Sequence, residues 1–422
     1  PVMLSRLPAL SRRSLSTTAR CASPWADVPQ GPADAILGLS LDFQADADPN
    51  KVSVGVGAYR GADGAPYVLP SVRAAEEKLL QDGFRPNHEY LGITGLAEFN
   101  DLACDMIYGA QCDVPKAKTQ VISGTGGLRV AGEFLKAFGN GADEIYMPDP
   151  TWGHHGAIFK KAGLAPKTYR YLDRSTQGLD FAGMMEDLKQ VPDGACVLLH
   201  ACAHNPTGVD PSSEQWSELS AMLRTKNVVP FFDSAYQGFA SGDAEVDAFA
   251  VRQFVADGHP VMTTQSFSKN FGLYSDRVGC LSVVCKDDDE VKRVDSQLKL
   301  IIRPMYSNPP ASGARIVSTI LQDDVLNPQW YAECKGMADR IIGARATLKQ
   351  HLVDGGATRN WDHVTNQIGM FAYTGLTKDQ CARMISDHHI YLTSDGRVSM
   401  AGVTEANAPY IANAILDVTE KS

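Results

Sequence analysis

Val261-Met262-Thr263-Thr264-Gln265-Ser266-Phe267-Ser268-Lys269-Asn270-Phe271-Gly272 joins a β-prone run to one lysine that follows small hydroxyl residues, and ends on a glycine. The run is one of six short strand-like segments between residues 144 and 286. The others are Glu144–Met147, Thr168–Tyr171, Ala195–His200, Val228–Asp233 and Val278–Val284. Helical patterns separate them, which predicts a doubly wound α/β domain. The helix near 212–225 carries its own start signal, a capping box of Ser212 and Gln215. Ligands of open parallel sheets sit beyond the C-terminal strand ends. Trp152, His200, Asn205, Asp233, Tyr236, Ser266 and Lys269 gather there. Lys269 is then either a surface ammonium, the usual fate of lysine, or a reactive amine held by a rigid strand end.

Composition narrows the field. At 422 residues the chain exceeds one ordinary core, so a large domain plus a smaller one is expected. Apolar content of 44 % and charged content of 21 % are globular values. A net charge of −10 argues against general nucleic-acid binding, which needs a basic surface. No run reaches the roughly 18 uncharged apolar residues of a membrane span. The nine cysteines are scattered without C-x-x-C pairs, so neither a disulfide framework nor a metal site is expected.

Upstream, Gln120-Val121-Ile122 runs into Ser123-Gly124-Thr125-Gly126-Gly127, and Leu128, Ala131, Phe134, Leu135 and Phe138 then follow on one helical face. A strand–glycine loop–helix junction aims free N–H groups and the positive helix end at an anion. The spacing matches neither the triphosphate loop nor the dinucleotide fingerprint. A single phosphate or a plain tight turn remains. Val52-Ser53-Val54-Gly55-Val56-Gly57-Ala58-Tyr59-Arg60 alternates like a strand. Residues 71–83 suit a helix. A long helix fits 328–352, with Trp330, Cys334, Met337, Ile341, Leu348 and Leu352 on one stripe. Beyond it, 369–373 and 390–393 suit strands, and 377–388 and 404–418 suit helices, as a small α/β unit completed by the N-terminal segment. Residues 1–22 hold Arg6, Arg12, Arg13 and Arg20, several Ser and Thr and no acid, the profile of an organellar transit peptide.

An amine nucleophile, a monophosphate cradle, a carboxylate at a strand end and aromatic faces are together the needs of pyridoxal 5'-phosphate. Lys269 would form the Schiff base, with a pKa lowered by desolvation and nearby cations. Asp233 would keep the pyridine nitrogen protonated through a charge-assisted bond. Tyr236 would reach the ring's phenolic oxygen, and Trp152 would stack on the ring.

The chain resembles the aspartate aminotransferase family, of fold-type I among pyridoxal-phosphate enzymes, and its mitochondrial members most. The resemblance runs from about residue 28 to the C-terminus. It is carried by Val54-Gly55-Val56-Gly57-Ala58-Tyr59-Arg60, Ser123-Gly124-Thr125-Gly126, Pro150-Thr151-Trp152-Gly153, His204-Asn205-Pro206-Thr207-Gly208, Asp233-Ser234-Ala235-Tyr236, Ser266-Phe267-Ser268-Lys269-Asn270 and Asp395-Gly396-Arg397. It implies a mostly parallel seven-stranded sheet with helices on both faces, plus a smaller α/β domain. The divisions would be 1–22 transit peptide, 23–65 N-terminal segment of the small domain, 66–335 large cofactor-binding domain and 336–422 small domain.

The implied reaction is reversible amino transfer from L-aspartate to 2-oxoglutarate, giving oxaloacetate and L-glutamate by a ping-pong route. Lys269, Asp233 and Tyr236 would be catalytic. Ser123, Gly124, Thr125, Ser266 and Arg277 would hold the phosphate, with Tyr90 reaching it from a partner subunit. Asn205 and Tyr236 would bond the phenolic oxygen, and His155 would stand behind Asp233. Arg397 would bind the substrate α-carboxylate beside Gly57, with Trp152 and Asn205 nearby. Arg303, from the partner, would bind the side-chain carboxylate. The implied assembly is a homodimer with shared sites, with no nucleic acid and no membrane span. The implied compartment is the mitochondrial matrix, or a plastid. His154 departs from the family's more usual asparagine.

Overall fold

The computed structural model describes residues 23–32, 34–61, 64–81, 88–139 and 143–420. The proposed transit segment, 1–22, lies outside the described residues. So do the last residues of the helix expected over 71–83, which is seen as Pro70–Gln81.

Seven strands make the central sheet, in the order Lys116–Ile122, Val278–Val284, Met262–Ser266, Val229–Ser234, Cys196–His200, Glu144–Asp149, Ala165–Arg170. Val278–Val284 runs antiparallel to both its neighbours, while the five strands from Met262–Ser266 to Ala165–Arg170 pair in parallel. The mostly parallel seven-stranded sheet expected from the resemblance is therefore present. Its central strands Cys196–His200 and Val229–Ser234 are apolar on both faces, as strands covered by helices must be. The two-residue pleat sends Cys196, Leu198 and Phe231 to one layer and Val197, Leu199 and Phe232 to the other. Helices Ser123–Phe138 and Asp288–Tyr306 cover the first face, with Leu128, Leu135, Leu298 and Ile302 buried there. Helices Ala97–Tyr108, Ser213–Arg224 and Phe249–Ala256 cover the second through Phe99, Trp216 and Phe254. Fully burying each phenylalanine contributes about 2 kcal/mol.

Ser212 and Gln215 form the capping box expected for Ser213–Arg224. The long helix is Leu326–Asp354, and every residue of its expected stripe is buried. Trp330 on that helix stacks on Phe271 with ring centroids 4.4 Å apart and donates Nε1–H to the Asn270 carbonyl at 2.9 Å. That contact grips the turn carrying Lys269 from behind.

Two local expectations need correction. Val52–Arg60 is not one strand: only Val52–Ser53 pairs, in parallel, with Ile390–Tyr391. From Val54 the chain bends to serve other partners, with Val54 O accepting from Ser399 N and Gly55 O from Arg397. The Ser123–Gly127 stretch is not a loop either. It is the first turn of the helix Ser123–Phe138, entered through Ser123 at φ +55°. The end of the N-terminal helix Ala35–Ala45 is tied to the C-terminal region by Asp46, whose Oδ2 bonds His389 Nδ1 at 2.7 Å and accepts from Tyr391 OH at 2.8 Å. Among the described residues, no helix is long and apolar enough to cross a membrane.

Candidate active site

Cys196–His200, Val229–Ser234 and Met262–Ser266 end side by side. The register sets His200 opposite Asp233 and Asp233 opposite Thr264. The sheet thus delivers His200, Asp233 and Ser266 to one rim, and a tight turn after Ser266 carries Lys269. The helix Ser123–Phe138 starts at the same rim, because Ile122 ends the strand paired with Val278–Val284.

Around this rim lies a cavity of about 200 Å³. It brings together Gly57, Ser123, Gly124, Thr125, Trp152, Asn205, Asp233, Tyr236, Ser266, Lys269, Arg277 and Arg397, twelve of the fourteen residues expected to touch cofactor or substrate, along with His200. Tyr90 and Arg303 are the exceptions. Tyr90 is 83 % exposed. Arg303 is exposed at the end of Asp288–Tyr306, where its guanidinium bonds Ser307 Oγ. Asn308 Nδ2 donates to Leu91 O at 2.9 Å, so these two residues stand on neighbouring segments outside the cavity.

One end of the cavity is a hydroxyl cluster. Ser123 Oγ lies 2.9 Å from Ser266 Oγ and 3.0 Å from Ser268 Oγ, and Arg277 Nη1 reaches Ser268 Oγ at 3.4 Å. A Cβ placed on Gly124 would stand 3.4 Å from Ser266 Cβ and 3.8 Å from Asp233 Oδ1, so the glycine keeps this concavity open. Hydroxyls, a guanidinium and a helix N-terminus make a binding place for a dianion.

Asp233 is the opposite pole. His155, fully buried, holds Nε2 3.1 Å from Asp233 Oδ2. Thr151 Oγ1 links His155 Nδ1 at 2.8 Å to His200 Nε2 at 3.1 Å. Burial pushes the Asp233 carboxyl up. The hydrogen bond from His155, with the charges of His155 and Lys269, outweighs it and holds the group below its usual range. Burial, helped by His155, lowers His200 to about 3, against a smaller opposing pull from Asp233, so its ring is neutral.

Lys269 Nζ lies 5.5 Å from the centre of the Tyr236 ring. Burial lowers the amine's pKa, Asp233 opposes this, and Arg277 and Arg397 add to the lowering. Tyr236 is pushed up, chiefly by burial, and keeps its proton. Arg397 is buried, with Nη2 on Gly55 O at 3.0 Å, Nη1 on Asn205 Oδ1 at 3.3 Å and Cζ 4.1 Å from the centre of the Phe371 ring.

Ile36, Cys202, Ser268 and Phe371 also line the cavity and were not singled out from the sequence. Ser268 could have been found, since it is a second hydroxyl beside Lys269. Ile36 and Phe371 carry no chemical signature. His154 stays away from the cavity floor, its Nε2 3.5 Å from Asp34 and its ring edge-on to Trp152.

A family model described as aminotransferase class I and II matches residues 49–415. The mitochondrial aspartate aminotransferase of Xenopus tropicalis is 50 % identical over 405 residues, 95 % of this chain and 94 % of that protein. The cytoplasmic aspartate aminotransferase of Oryza sativa subsp. japonica is 52 % identical, over 93 % of this chain and 97 % of the relative. Among solved structures, the aromatic-amino-acid aminotransferase of Burkholderia pseudomallei, covalently bound to pyridoxal phosphate, superposes with a TM-score of 0.90. It is 39 % identical, covering 94 % of this chain and all of that one. On these likenesses and this site, the chain belongs to the class I and II aminotransferase family.

Proposed function

We propose that the chain catalyses reversible transfer of the amino group from L-aspartate to 2-oxoglutarate, with pyridoxal 5'-phosphate as cofactor. The observation that carries this reading is one cavity holding a partly desolvated Lys269, the buried His155–Asp233 pair and a buried Arg397. Relatives named aspartate aminotransferases at 50 % and 52 % identity support the substrate.

The residues fit the cofactor. The concavity at Gly124, ringed by Ser123, Ser266, Ser268 and Arg277, suits its phosphate. Asp233 suits the pyridine nitrogen, Trp152 the ring face, and Asn205 with Tyr236 the phenolic oxygen, while Lys269 would hold the aldehyde covalently through Nζ. When bound, the cofactor supplies the electron sink that acidifies the substrate α-carbon.

The chain's residues do the rest. Arg397 binds the α-carboxylate with two parallel N–H donors, which a lysine cannot do. Asn205 Oδ1 and Gly55 O fix the plane of that guanidinium. Lys269 Nζ, whose pKa burial lowers, would take the proton from the substrate α-carbon and deliver it to the cofactor's aldehyde carbon, acting as base and then as acid. Asp233 stays ionised beneath this chemistry because His155 donates to it and the neutral His200 backs it through Thr151.

Tyr90 and Arg303 act on a second copy of the chain. Their exposure on adjoining segments outside their own cavity supports this reading, in which the working unit is a twofold dimer. Arg303 then selects dicarboxylic substrates, because a buried guanidinium left unpaired is costly. In the same reading residues 66–335 form the large domain. Residues 336–422, joined by 23–65, form the small one, a division that the pairing of Val52–Ser53 with Ile390–Tyr391 supports. The arginine-rich segment 1–22 supports the mitochondrial matrix, with a plastid as the alternative. A reporter fused to residues 1–30 would decide by where it accumulates.

The direct test is oxaloacetate formation by the cofactor-loaded protein supplied with L-aspartate and 2-oxoglutarate. Product that forms only when both substrates are present is expected, and its absence would refute the reading.

A further inference from the structure

The buried stripe of Leu326–Asp354 has one interruption. Between Ile341 and Leu348 the spacing asks for an apolar side chain, and Arg345 stands there, 2 % exposed. Among the described residues it makes no ion pair, and burial alone acts on its charge, pulling it down to about 9. Its partners are backbone carbonyls. Nη1 donates to Val364 O at 2.9 Å, and Nη2 to Gly369 O at 2.8 Å and to Phe371 O. A buried cation without a counter-charge costs stability, and an aliphatic residue would continue the stripe. Packing alone therefore does not account for an arginine here.

The three carbonyls belong to the segment that leads into Phe371–Tyr373, the strand paired with Arg397–Ser399. Phe371 is held on every side. Arg397 Cζ lies 4.1 Å from its ring centre. A Cβ on Gly57 would come within 2.8 Å of the ring's Cζ. Behind its peptide, Gly208 at φ +67° approaches so closely that a Cβ there would sit 2.9 Å from Phe371 O. The ring is wedged between Gly57 and Arg397, and its carbonyl between Gly208 and Arg345.

We propose that Arg345 is a positioning residue for the substrate α-carboxylate: by gripping the Phe371 carbonyl it fixes the ring on which Arg397 rests. The inference depends on Arg397 being the carboxylate clamp of the proposed reaction. The fork of the guanidinium is what matters, since it spans Val364 on one nitrogen and Gly369 with Phe371 on the other. A lysine's single ammonium cannot hold that spread. If Phe371 slides, Arg397 keeps its bonds to Gly55 and Asn205 but loses the ring that sets its tilt. The two-pronged bond to the carboxylate then loosens.

The test uses the cofactor-loaded dimer and succinate, a dicarboxylate without an amino group, with Kd read by calorimetry. R345K and R345M should raise the succinate Kd and the aspartate KM about tenfold, with kcat falling less than KM rises. Leu348→Ala, on the same stripe, should lower the melting temperature and leave the succinate Kd unchanged. R345K placed on F371L should add little to the loss F371L already causes, because coupled residues are non-additive. Arg345 variants that lower the melting temperature without moving the succinate Kd would overturn the proposal, and so would full additivity with F371L. If neither Arg345 variant folds, an F371L protein with wild-type succinate affinity overturns it instead. A wild type that binds no succinate and does not saturate with aspartate would refute the role given to Arg397, a different failure visible before any variant is made.

Discussion

His155 Nε2 stands 3.1 Å from Asp233 Oδ2, and the histidine side of the pair is fully buried. The pair holds the carboxyl below its usual range against the upward push of burial, so its charge is available to whatever cation faces it.

Asp233→Asn keeps the shape and removes the charge. We expect kcat to fall by at least about 10²-fold, with the circular dichroism spectrum unchanged. His155→Asn should cost less than that, since it leaves the carboxylate in place. Steady-state assays of both variants rank the losses, and an Asp233→Asn enzyme with wild-type kcat would remove Asp233 from the mechanism.

His200 ties acid stability to the site. Its ring is held near pKa 3 when folded, chiefly by burial, and returns to about 6.5 when unfolded. Between those values the unfolded chain binds the extra proton, so this contribution is full above pH 6.5 and is lost as pH falls towards 3. Asp247, pushed up to about 6 by burial, has the opposite sign between its unfolded value and 6. Urea midpoints of wild type and His200→Gln from pH 7 to pH 4 isolate the histidine. The variant should lose less stability on acidification, and parallel curves would contradict the assignment.

Trp330→Leu leaves Asn270 O without its indole donor and Phe271 without its stacking partner. A loss of about 3 kcal/mol is expected from the truncation. Chemical denaturation measures it, and a shift below 1 kcal/mol, the size of a surface change, would mean that the long helix does not brace the lysine turn.

Lys269→Ala and Arg303→Ala together test the shared site. Each homodimer should be nearly inactive on aspartate, the first for every substrate and the second selectively for dicarboxylic ones. Mixed and re-assembled, they should recover activity, because one of the two sites then has Lys269 from one chain and Arg303 from the other. If Arg303 served its own chain's cavity, mixing would restore nothing.

Much of this site is legible in the sequence because its parts announce themselves chemically. Lys269 just after Ser266 and Ser268, Asp233 at the end of an apolar strand and the glycine-rich turn at Ser123 each sit where a strand ends. A sheet with short crossovers must bring such ends together. Alternation over Val54–Arg60 does not say whether a neighbouring strand exists to pair with; after Ser53 the carbonyls of Val54 and Gly55 accept from Ser399 and Arg397. Ile36 and Phe371 stayed hidden because an apolar residue lining a cavity reads like one lining a core. Arg345 was overlooked for the opposite reason: it sits inside a stripe whose other members are all apolar.

Amino exchange itself is tested most directly by one spectrum. The cofactor-loaded protein should be yellow, and adding L-aspartate alone, with no keto acid, should shift its visible absorbance as the amino group passes to the bound cofactor. 2-Oxoglutarate should then restore the original spectrum. An absorbance that aspartate leaves unchanged, with the cofactor demonstrably bound, would contradict the account.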